Sequence, residues 1–376
     1  MARVVVLQRQ VSQLDEPVYA RMHELDPASC AVVYWNDYGY TRKWVDPELG
    51  VVPDLADADA LVYPKSWIDS RSNGRRVVEA ALLAHRPSLV VVSDVPLQDR
   101  LRLALALRAR GIKVAFRVDK NHLSEQPRRG LALMAERRVA RYAFDILAPT
   151  SPLTNAYYAW APDWPSIPFP YTTNERKFAP GPELRSSQRL AVRDRLGFAE
   201  SNHVFLSAAK FTARESPWGL VASFAKVAAT HPHVHLIALG DGPLLAEIKR
   251  HCSEQRLDRV TFPGFVPFRQ LQDYFFAADT FLHLVGVGPW EVSPQDALIA
   301  RLGLVTTDGV GSAQVLLQGP LRRFLVPRGN ADAAAERMRE LASRPHDGQY
   351  LFADARARTL DYTVEACARR WVEVRA

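Results

Sequence analysis

Short runs of β-branched residues alternate with longer Ala/Leu/Arg stretches along nearly the whole chain, and this alternation limits the fold more than any other feature. In the first half, Val4–Leu7, Ala31–Tyr34, Leu61–Tyr63, Ser88–Val92, Val114–Arg117 and Ile146–Ala148 read as strands. Val18–Leu25, Gly74–Ala84, Asp99–Arg110 and Arg129–Tyr142 read as the helices between them. Strands joined by helical crossovers make a parallel sheet with helices on its faces. The 99–110 stretch has Leu at alternate positions 101, 103, 105 and 107, as a strand could. Its length and its Ala and Arg content decide for a helix.

The alternation breaks at Pro170–Gln188, a segment rich in Pro, Ser, Thr and charge that reads as a crossover between domains. It then resumes. Val204–Ala208, Val234–Leu239, Val260–Phe262, Phe281–Leu284 and Leu304–Thr306 read as strands. Ser216–Thr230, Leu244–Ser253, Arg269–Ala277, Pro294–Arg301 and Ala331–Ser343 read as helices, and Tyr362–Val374 as a helical tail. At 376 residues the chain suits two domains better than one core. The expected organisation is a Rossmann-like domain over 1–175, a second over 190–358 and a tail over 359–376. In such sheets ligands bind beyond the carboxyl ends of the strands.

Hydrophobic residues make up 48% and charged residues 24%, which excludes disorder as the main state. No run of eighteen apolar residues exists, and the apolar part of Met1–Arg9 is shorter than a signal peptide needs. Cys30, Cys252 and Cys367 are too few and too scattered for a disulfide framework, which points to the cytoplasm. His231, His233 and His235 alternate, but no carboxylate or Cys is spaced with them, so no metal site is expected. Residues 101–150 hold 11 Lys/Arg against 4 Asp/Glu, which is the whole net charge of +7. That concentration suits an anionic partner, a nucleic acid or a membrane surface, and equally suits a solvated arginine-rich face.

The sharpest motif is Leu239-Gly240-Asp241-Gly242-Pro243, a strand end turning into a helix. Glycines there let a backbone approach a ligand, although an ordinary turn has the same look. Val260-Thr261-Phe262-Pro263-Gly264-Phe265-Val266 follows, then a helix ending Ala277-Ala278-Asp279. Next come Gly288-Pro289-Trp290-Glu291-Val292-Ser293-Pro294-Gln295-Asp296-Ala297-Leu298 and Val305-Thr306-Thr307-Asp308-Gly309-Val310-Gly311. Upstream lie Lys210-Phe211-Thr212-Ala213-Arg214-Glu215-Ser216-Pro217, Phe116-Arg117-Val118-Asp119, and Pro170-Tyr171 with Phe178. This order resembles glycosyltransferase family 4, the retaining transferases of the GT-B fold. The likeness spans most of the chain and is sharper in its second half.

The resemblance implies two Rossmann-like domains facing across a cleft, with the C-terminal helix returning toward the first. It implies that Gly240, Asp241, Gly242, Phe265, Val266, Glu291, Val292, Ser293 and Asp296 bind a nucleotide-sugar donor. Lys210 and Arg214 would clamp its diphosphate, helped by N–H groups at the start of the 294–301 helix. Asp119, and after it His122, would face the donor from the first domain, with Asp94 lining the same cleft. Several positions depart from the pattern. The family's first donor-loop glutamate falls on Gly288, its second on Asp296, and a clamping basic residue on Glu215. Glu291 is the nearest acid to the lost one, and it would equally stabilise a helix start through the dipole. Trp290 would stack on a sugar or fill the core.

The implied activity is retaining, metal-independent transfer of a sugar from a nucleotide-diphosphate donor to a carbohydrate or lipid-linked acceptor, in cell-surface polysaccharide or glycolipid synthesis, with no cofactor. Arg128, Arg129, Arg137, Arg138 and Arg141 around Leu131, Leu133, Met134 and Tyr142 make an interfacial helix that would hold the enzyme on the inner face of the cell membrane. No recognition motif for nucleic acid accompanies the charge. Gly288 and Glu215 support the alternative, a catalytically silent protein that binds a nucleotide or a partner.

Overall fold

The computed structural model describes residues 3–35, 61–69, 74–93, 97–124, 130–179, 181–344 and 348–374. They form two units. One takes the described residues up to Thr172 and those from Tyr362 onward; the other is Thr173–Asp361. The first unit contains β1 (Val4–Gln8), α1 (Glu16–Leu25), β2 (Cys30–Tyr34), β3 (Lys65–Trp67), α2 (Arg75–Ala84) and β4 (Leu89–Val92). It continues with α3 (Leu97–Arg108), β5 (Lys113–Val118), α4 (Gly130–Ala143), β6 (Ile146–Pro149) and α5 (Pro152–Tyr157). The second unit opens with α6 (Glu175–Phe178), α7 (Pro182–Leu196), β7 (His203–Ala208), α8 (Pro217–Ala228), β8 (Val234–Leu239) and α9 (Leu245–Glu254). Then come β9 (Val260–Gly264), α10 (Phe268–Ala277), β10 (Thr280–His283), α11 (Ser293–Ile299), β11 (Gly303–Thr307) and α12 (Gly311–Leu316). It closes with β12 (Leu325–Val326), α13 (Ala331–Ala342), α14 (Gly348–Leu351) and α15 (Ala353–Thr359), and α16 (Val364–Val372) rejoins the first unit.

Each unit is built on one parallel six-stranded sheet. The orders are β3-β2-β1-β4-β5-β6 and β12-β11-β10-β7-β8-β9. Counted within its own unit, each is the doubly wound order, with reversal between β1 and β4 and between β7 and β10. Central strands such as β1, β2 and β4 read as nearly continuous apolar runs because both faces are covered. Val5 and Leu7 of β1 pack on one face with Leu82, Leu103 and Leu107 of α2 and α3. Val4 and Val6 pack on the other with Tyr19 and Met22 of α1 and Cys367 and Trp371 of α16. Arg3 Nη1 donates to the Val372 carbonyl at 3.1 Å and Trp371 Nε1 to the Pro168 carbonyl at 2.9 Å, so the C-terminal helix is tied to the first unit by hydrogen bonds as well.

The sequence expectation lacks β12 and the short helices α5, α6, α12, α14 and α15, and two further differences have a physical reason. The third strand is Lys65–Trp67, not Leu61–Tyr63. Pro64 has no N–H, so pairing with β2 starts at its carbonyl, which accepts from Val32 N at 3.0 Å, while Leu61 and Tyr63 are buried without being strand. The larger difference is α7, whose first seven residues lie in the segment read as a linker. Pro182 lies in its first turn and Gly197, at φ 72°, caps its end. Leu184 and Leu190 are exposed, so no apolar stripe announces the helix. Arginines hold it instead. Arg189 Nη1 donates to the carbonyls of Phe276, Ala277 and Ala278, and its Nη2 to Asp279 Oδ1 at 2.8 Å. Arg193, 2% exposed, donates to the carbonyls of Ala277, Ala199 and Asn202 and to Asp279 Oδ2 at 2.7 Å.

Removing one partner of a buried ion pair costs about 3–5 kcal/mol, because the other charge stays buried. Arg193→Ala is therefore expected to lower the unfolding free energy of the second unit by roughly 3 kcal/mol, read from urea denaturation. A loss below about 1 kcal/mol would show that α7 is held by other contacts.

Candidate functional site

The strand ends of the second sheet are knitted together. Gly240 N donates to the Gly264 carbonyl at 2.9 Å, Phe211 N to the Asp241 carbonyl at 2.9 Å, and Leu244 N to the Phe211 carbonyl at 3.0 Å. A Cβ on Gly240 would stand 2.0 Å from the Ala209 carbonyl oxygen, and one on Gly242 2.7 Å from that of Phe211. Both glycines also have positive φ, 131° and 150°. The close approach expected of this turn is thus made to the 209–211 backbone. Asp241 Oδ1 accepts from Gly242 N at 2.7 Å and steadies the turn. Lys210, fixed just past β7 by this packing, lines a narrow crevice with Glu215 and Val285 between the ends of β7 and β10.

The loop after β10 is tied to the same edge. Gly286 N donates to the Arg214 carbonyl at 3.1 Å, Gly288 N to that of Gly309 at 3.0 Å, and Gly311 N to that of Gly288 at 2.9 Å. Arg214 forms an ion pair with Glu215, and its Nη1 lies 4.0 Å from Glu291 Oε1. A Cβ on Gly288 would meet Glu291 Oε1 at 2.2 Å and Cγ at 2.4 Å. The Glu291 side chain therefore occupies the space a side chain at 288 would need. Burial, then the neighbouring Glu215, raises the Glu291 pKa, and Arg214 opposes the rise.

His283, at the end of β10, is a residue the sequence reading missed. It is 3% exposed, and neither ring nitrogen has a hydrogen-bond partner among the described residues. Its Nε2 lies 4.0 Å from Glu291 Oε2. Burial, with Arg214 nearby, pushes its pKa down to about 4, so the imidazole is neutral near pH 7 and the contact is not an ion pair. The signal was a single polar residue in Phe281-Leu282-His283-Leu284-Val285.

Asp296 sits inside α11, 5% exposed, and its Oδ1 accepts the Thr173 hydroxyl. Burial raises its pKa to about 7, against the hydrogen bond from Thr173 and the charge of Lys177. Lys177 itself is pushed down to about 8 by burial, against Asp296 and Asp273. Asp296 is thus engaged with the start of the second unit, an arrangement different from a carboxylate open to a ribose. The helix start also offers fewer N–H groups than expected. Gln295 and Asp296 both donate to the Val292 carbonyl, and Pro294 has no N–H, which leaves those of Val292 and Ser293.

Phe265, 40% exposed, follows β9 directly, with Val266 half-buried beside it. Trp290 is 7% exposed and fills the core. In the first unit, Asp119 and His122 are exposed just past β5, whereas Arg117 before them is buried. Asp94, Arg128 and Arg129 lie outside the described residues.

Residues 188–358, less than half of the chain, match the family model described as glycosyl transferases group 1. The alpha-monoglucosyldiacylglycerol synthase of Streptococcus pneumoniae is 26% identical over 102 residues, 27% of this chain and 23% of that protein. The chain therefore matches less than a quarter of this relative's length. A structure of HepE from Anabaena in complex with UDP is similar over 98% of this chain and 97% of that one, with 15% identity and a TM-score of 0.75. A glycosyltransferase from Rickettsia africae is similar over 98% and 96%, with 11% identity and a TM-score of 0.73. The fold is that of the GT-B proteins, two Rossmann-like domains in one chain.

The buried Asp296 makes stability depend on pH. Its pKa is about 7 folded and near the ordinary 3.8 unfolded. Between these values the unfolded chain gives up the proton and the folded chain keeps it. Stability therefore falls as pH rises from about 4 to about 7, by an amount on the order of a few kcal/mol. Asp296→Asn removes this titration while keeping an acceptor for Thr173. The melting temperature of the variant should gain on wild type across that window. Parallel profiles for the two proteins would show that Asp296 does not titrate there.

Proposed function

We propose that the chain is a glycosyltransferase that moves a sugar from a nucleoside-diphosphate donor to a carbohydrate or lipid-linked acceptor, with retention and without a metal. The observation that carries this reading is the convergence of Lys210, Arg214, Glu215 and Glu291 where β7 and β10 part, within the segment matched by the glycosyl transferase model. HepE is described with UDP and with UDP-glucose, which favours a uridine nucleotide here.

In this reading Lys210 and Arg214 stabilise the departing diphosphate with charge-assisted hydrogen bonds. The bond from the sugar anomeric carbon to the diphosphate breaks, the acceptor oxygen bonds to that carbon on the same face, and the hydroxyl proton leaves with the diphosphate. Glu291, standing in the space above Gly288, contacts donor hydroxyls in place of the acid that position lacks. Phe265 offers its ring to the base. A second reading, a silent nucleotide-binding protein, is favoured by the engaged Asp296 and by Glu215 beside Arg214.

Thermal shift with UDP and UDP-glucose tests the donor site, because a ligand at a hundred times its Kd stabilises by about 2.7 kcal/mol. Lys210→Ala and Arg214→Ala should each weaken UDP binding about tenfold or more. Glu291→Ala should lower turnover of the sugar nucleotide while UDP affinity holds. Wild-type UDP affinity in both cation variants removes the clamp. Binding without any sugar transfer or donor hydrolysis favours the silent protein.

The chain also docks, in this proposal, on an anionic membrane surface. No described helix is long and apolar enough to cross a membrane. The α4 arginines are not all free for lipid. Arg137 donates to the Tyr157 carbonyl at 2.7 Å and lies over the Tyr157 and Trp160 rings, and Arg141 pairs with Asp163 at 3.1 Å. The better docking face is the stripe of Leu131, Met134, Arg138 and Tyr142 at helical spacing, with Leu131 85% and Tyr142 74% exposed. Co-sedimentation with anionic liposomes should fade with salt and be lost in Leu131→Asp/Tyr142→Asp. Equal binding to neutral liposomes would remove charge as the cause.

A further inference from the structure

The outer layer of the second unit carries a group of arginines that the site beside Lys210 does not use. Arg185, near the start of α7, shares a helix face with Arg189 one turn on. Arg189 is fixed by the carbonyls at the end of α10 and by Asp279. Gly303 N donates to the Asp279 carbonyl at 2.9 Å, which brings the end of α11, with Arg301, alongside. Arg356 of α15 reaches the same helix end, where its Nε donates to the Leu298 carbonyl at 3.0 Å. The group lies at the amino ends of β10 and β11, across the sheet from Lys210.

These cations lack a matching acid. Asp279 Oδ1 accepts from Arg189 Nη2 at 2.8 Å, and its Oδ2 accepts from Arg193 Nη2 at 2.7 Å and from Val204 N at 2.8 Å. Its carboxylate is therefore engaged on both oxygens. Arg185 Nε is buried and has no hydrogen-bond partner among the described residues. Burial, then Arg301, Arg189 and Arg356, push the Arg185 pKa down to about 10, and Asp279 opposes them with a weaker pull than any of the three. Burial, then Arg301, lowers that of Arg356 too. Arg185, Arg301 and Arg356 thus repel one another, and as arginines they stay charged near pH 7. A buried donor calls for an acceptor, from the chain, from water or from an ion.

The charge and the donors set the class of ligand. A cation is repelled, and a neutral molecule leaves the repulsion in place. A carboxylate brings one negative charge, enough for one guanidinium. A terminal phosphate group brings close to two charges and three strong acceptor oxygens. Guanidinium groups present planar forks of N–H donors that match those oxygens in pairs. Arg301 is exposed, and Arg185 and Arg356 are half-buried, so the group is reached from solvent.

We propose that Arg185, Arg301 and Arg356 form a binding site for a terminal phosphate group. The site goes beyond the transferase reading and does not rest on it. The same group occurs as free phosphate, on a phosphorylated sugar and on a phosphatidic acid headgroup.

Calorimetric titration of the full chain at constant ionic strength tests the site, with inorganic phosphate, glucose 6-phosphate and soluble dihexanoyl phosphatidic acid as probes. At least one should bind with Kd in roughly the millimolar range or below. The double variant Lys210→Ala/Arg214→Ala, which removes the proposed diphosphate clamp, should keep this binding. Arg185→Gln and Arg301→Gly should each weaken it about tenfold. At φ 64° glycine suits position 301 better than arginine does, so a loss in that variant is not a loss of fold. Without ligand, Arg185→Gln should melt at or above the wild-type temperature, because it removes a cation that its neighbours repel. Tightest binding of phosphate or glucose 6-phosphate supports the site with a soluble ligand, and tightest binding of phosphatidic acid supports it with a lipid headgroup. Binding indifferent to Arg185→Gln and Arg301→Gly overturns the proposal, as does binding lost in the Lys210/Arg214 double variant, or no binding of any probe by the folded wild-type chain. A lower melting temperature in Arg185→Gln also overturns it, since the fold itself would then be using that charge. Phosphate binding that follows these arginines in a chain that transfers no sugar keeps this site and loses the transferase reading.

Discussion

A parallel strand can be joined to its neighbour only by a crossover that returns to the other end of the sheet, and both units are shaped by that constraint. Helices cover both faces, so the strands are mostly apolar and their few polar residues, such as Gln8, Arg117 and His283, gather toward the carboxyl ends. Each carboxyl edge splits where the strand order reverses. A cavity over Arg117 lies at one such split, and the crevice beside Lys210 lies at the other. Polar residues of the strands are therefore concentrated where the winding leaves room for them.

The two edges solve the problem of buried charge in different ways. In the first unit the buried Arg117 and Asp15 pair at 2.6 Å, with further bonds from Arg117 Nε to the Phe169 carbonyl and from Gln8 Nε2 to Asp15 Oδ2. In the second unit Arg214 stands among Glu215, Glu291 and the neutral His283. With Lys210 at the same edge, two cations stand with two acids, and burial, then Glu215, raises the Glu291 pKa.

Much of the fold was legible in the sequence, because period and length distinguish buried parallel strands from amphipathic helices. Val234–Leu239 was read to the residue. The α7 helix was not, since its anchors are arginine bonds to carbonyls 80 to 90 positions away, which no local pattern records. At the candidate site, the order of motifs singled out the loops at the strand ends, while the contacts of their side chains left no trace in it. The glycines of the 240–242 turn serve the packing of 209–211, a fact that only the distance of a missing Cβ to a carbonyl oxygen can show. A side chain at 288 and that of Glu291 would share one volume, although the two are three positions apart. The resemblance turned Asp296 toward a ligand, and its hydrogen bond from Thr173, far away in sequence, is not visible in any motif.

The placement of α16 has a consequence for how the chain is made. Val364, Cys367, Ala368 and Trp371 belong to the core of the first unit, yet they follow every residue of the second in the order of synthesis. A ribosome delivers the second unit whole while the first still lacks a side of its core. The domain begun first is the one completed last, and until then the faces of α1 and β1 that α16 covers stay open to chaperones and to other nascent chains.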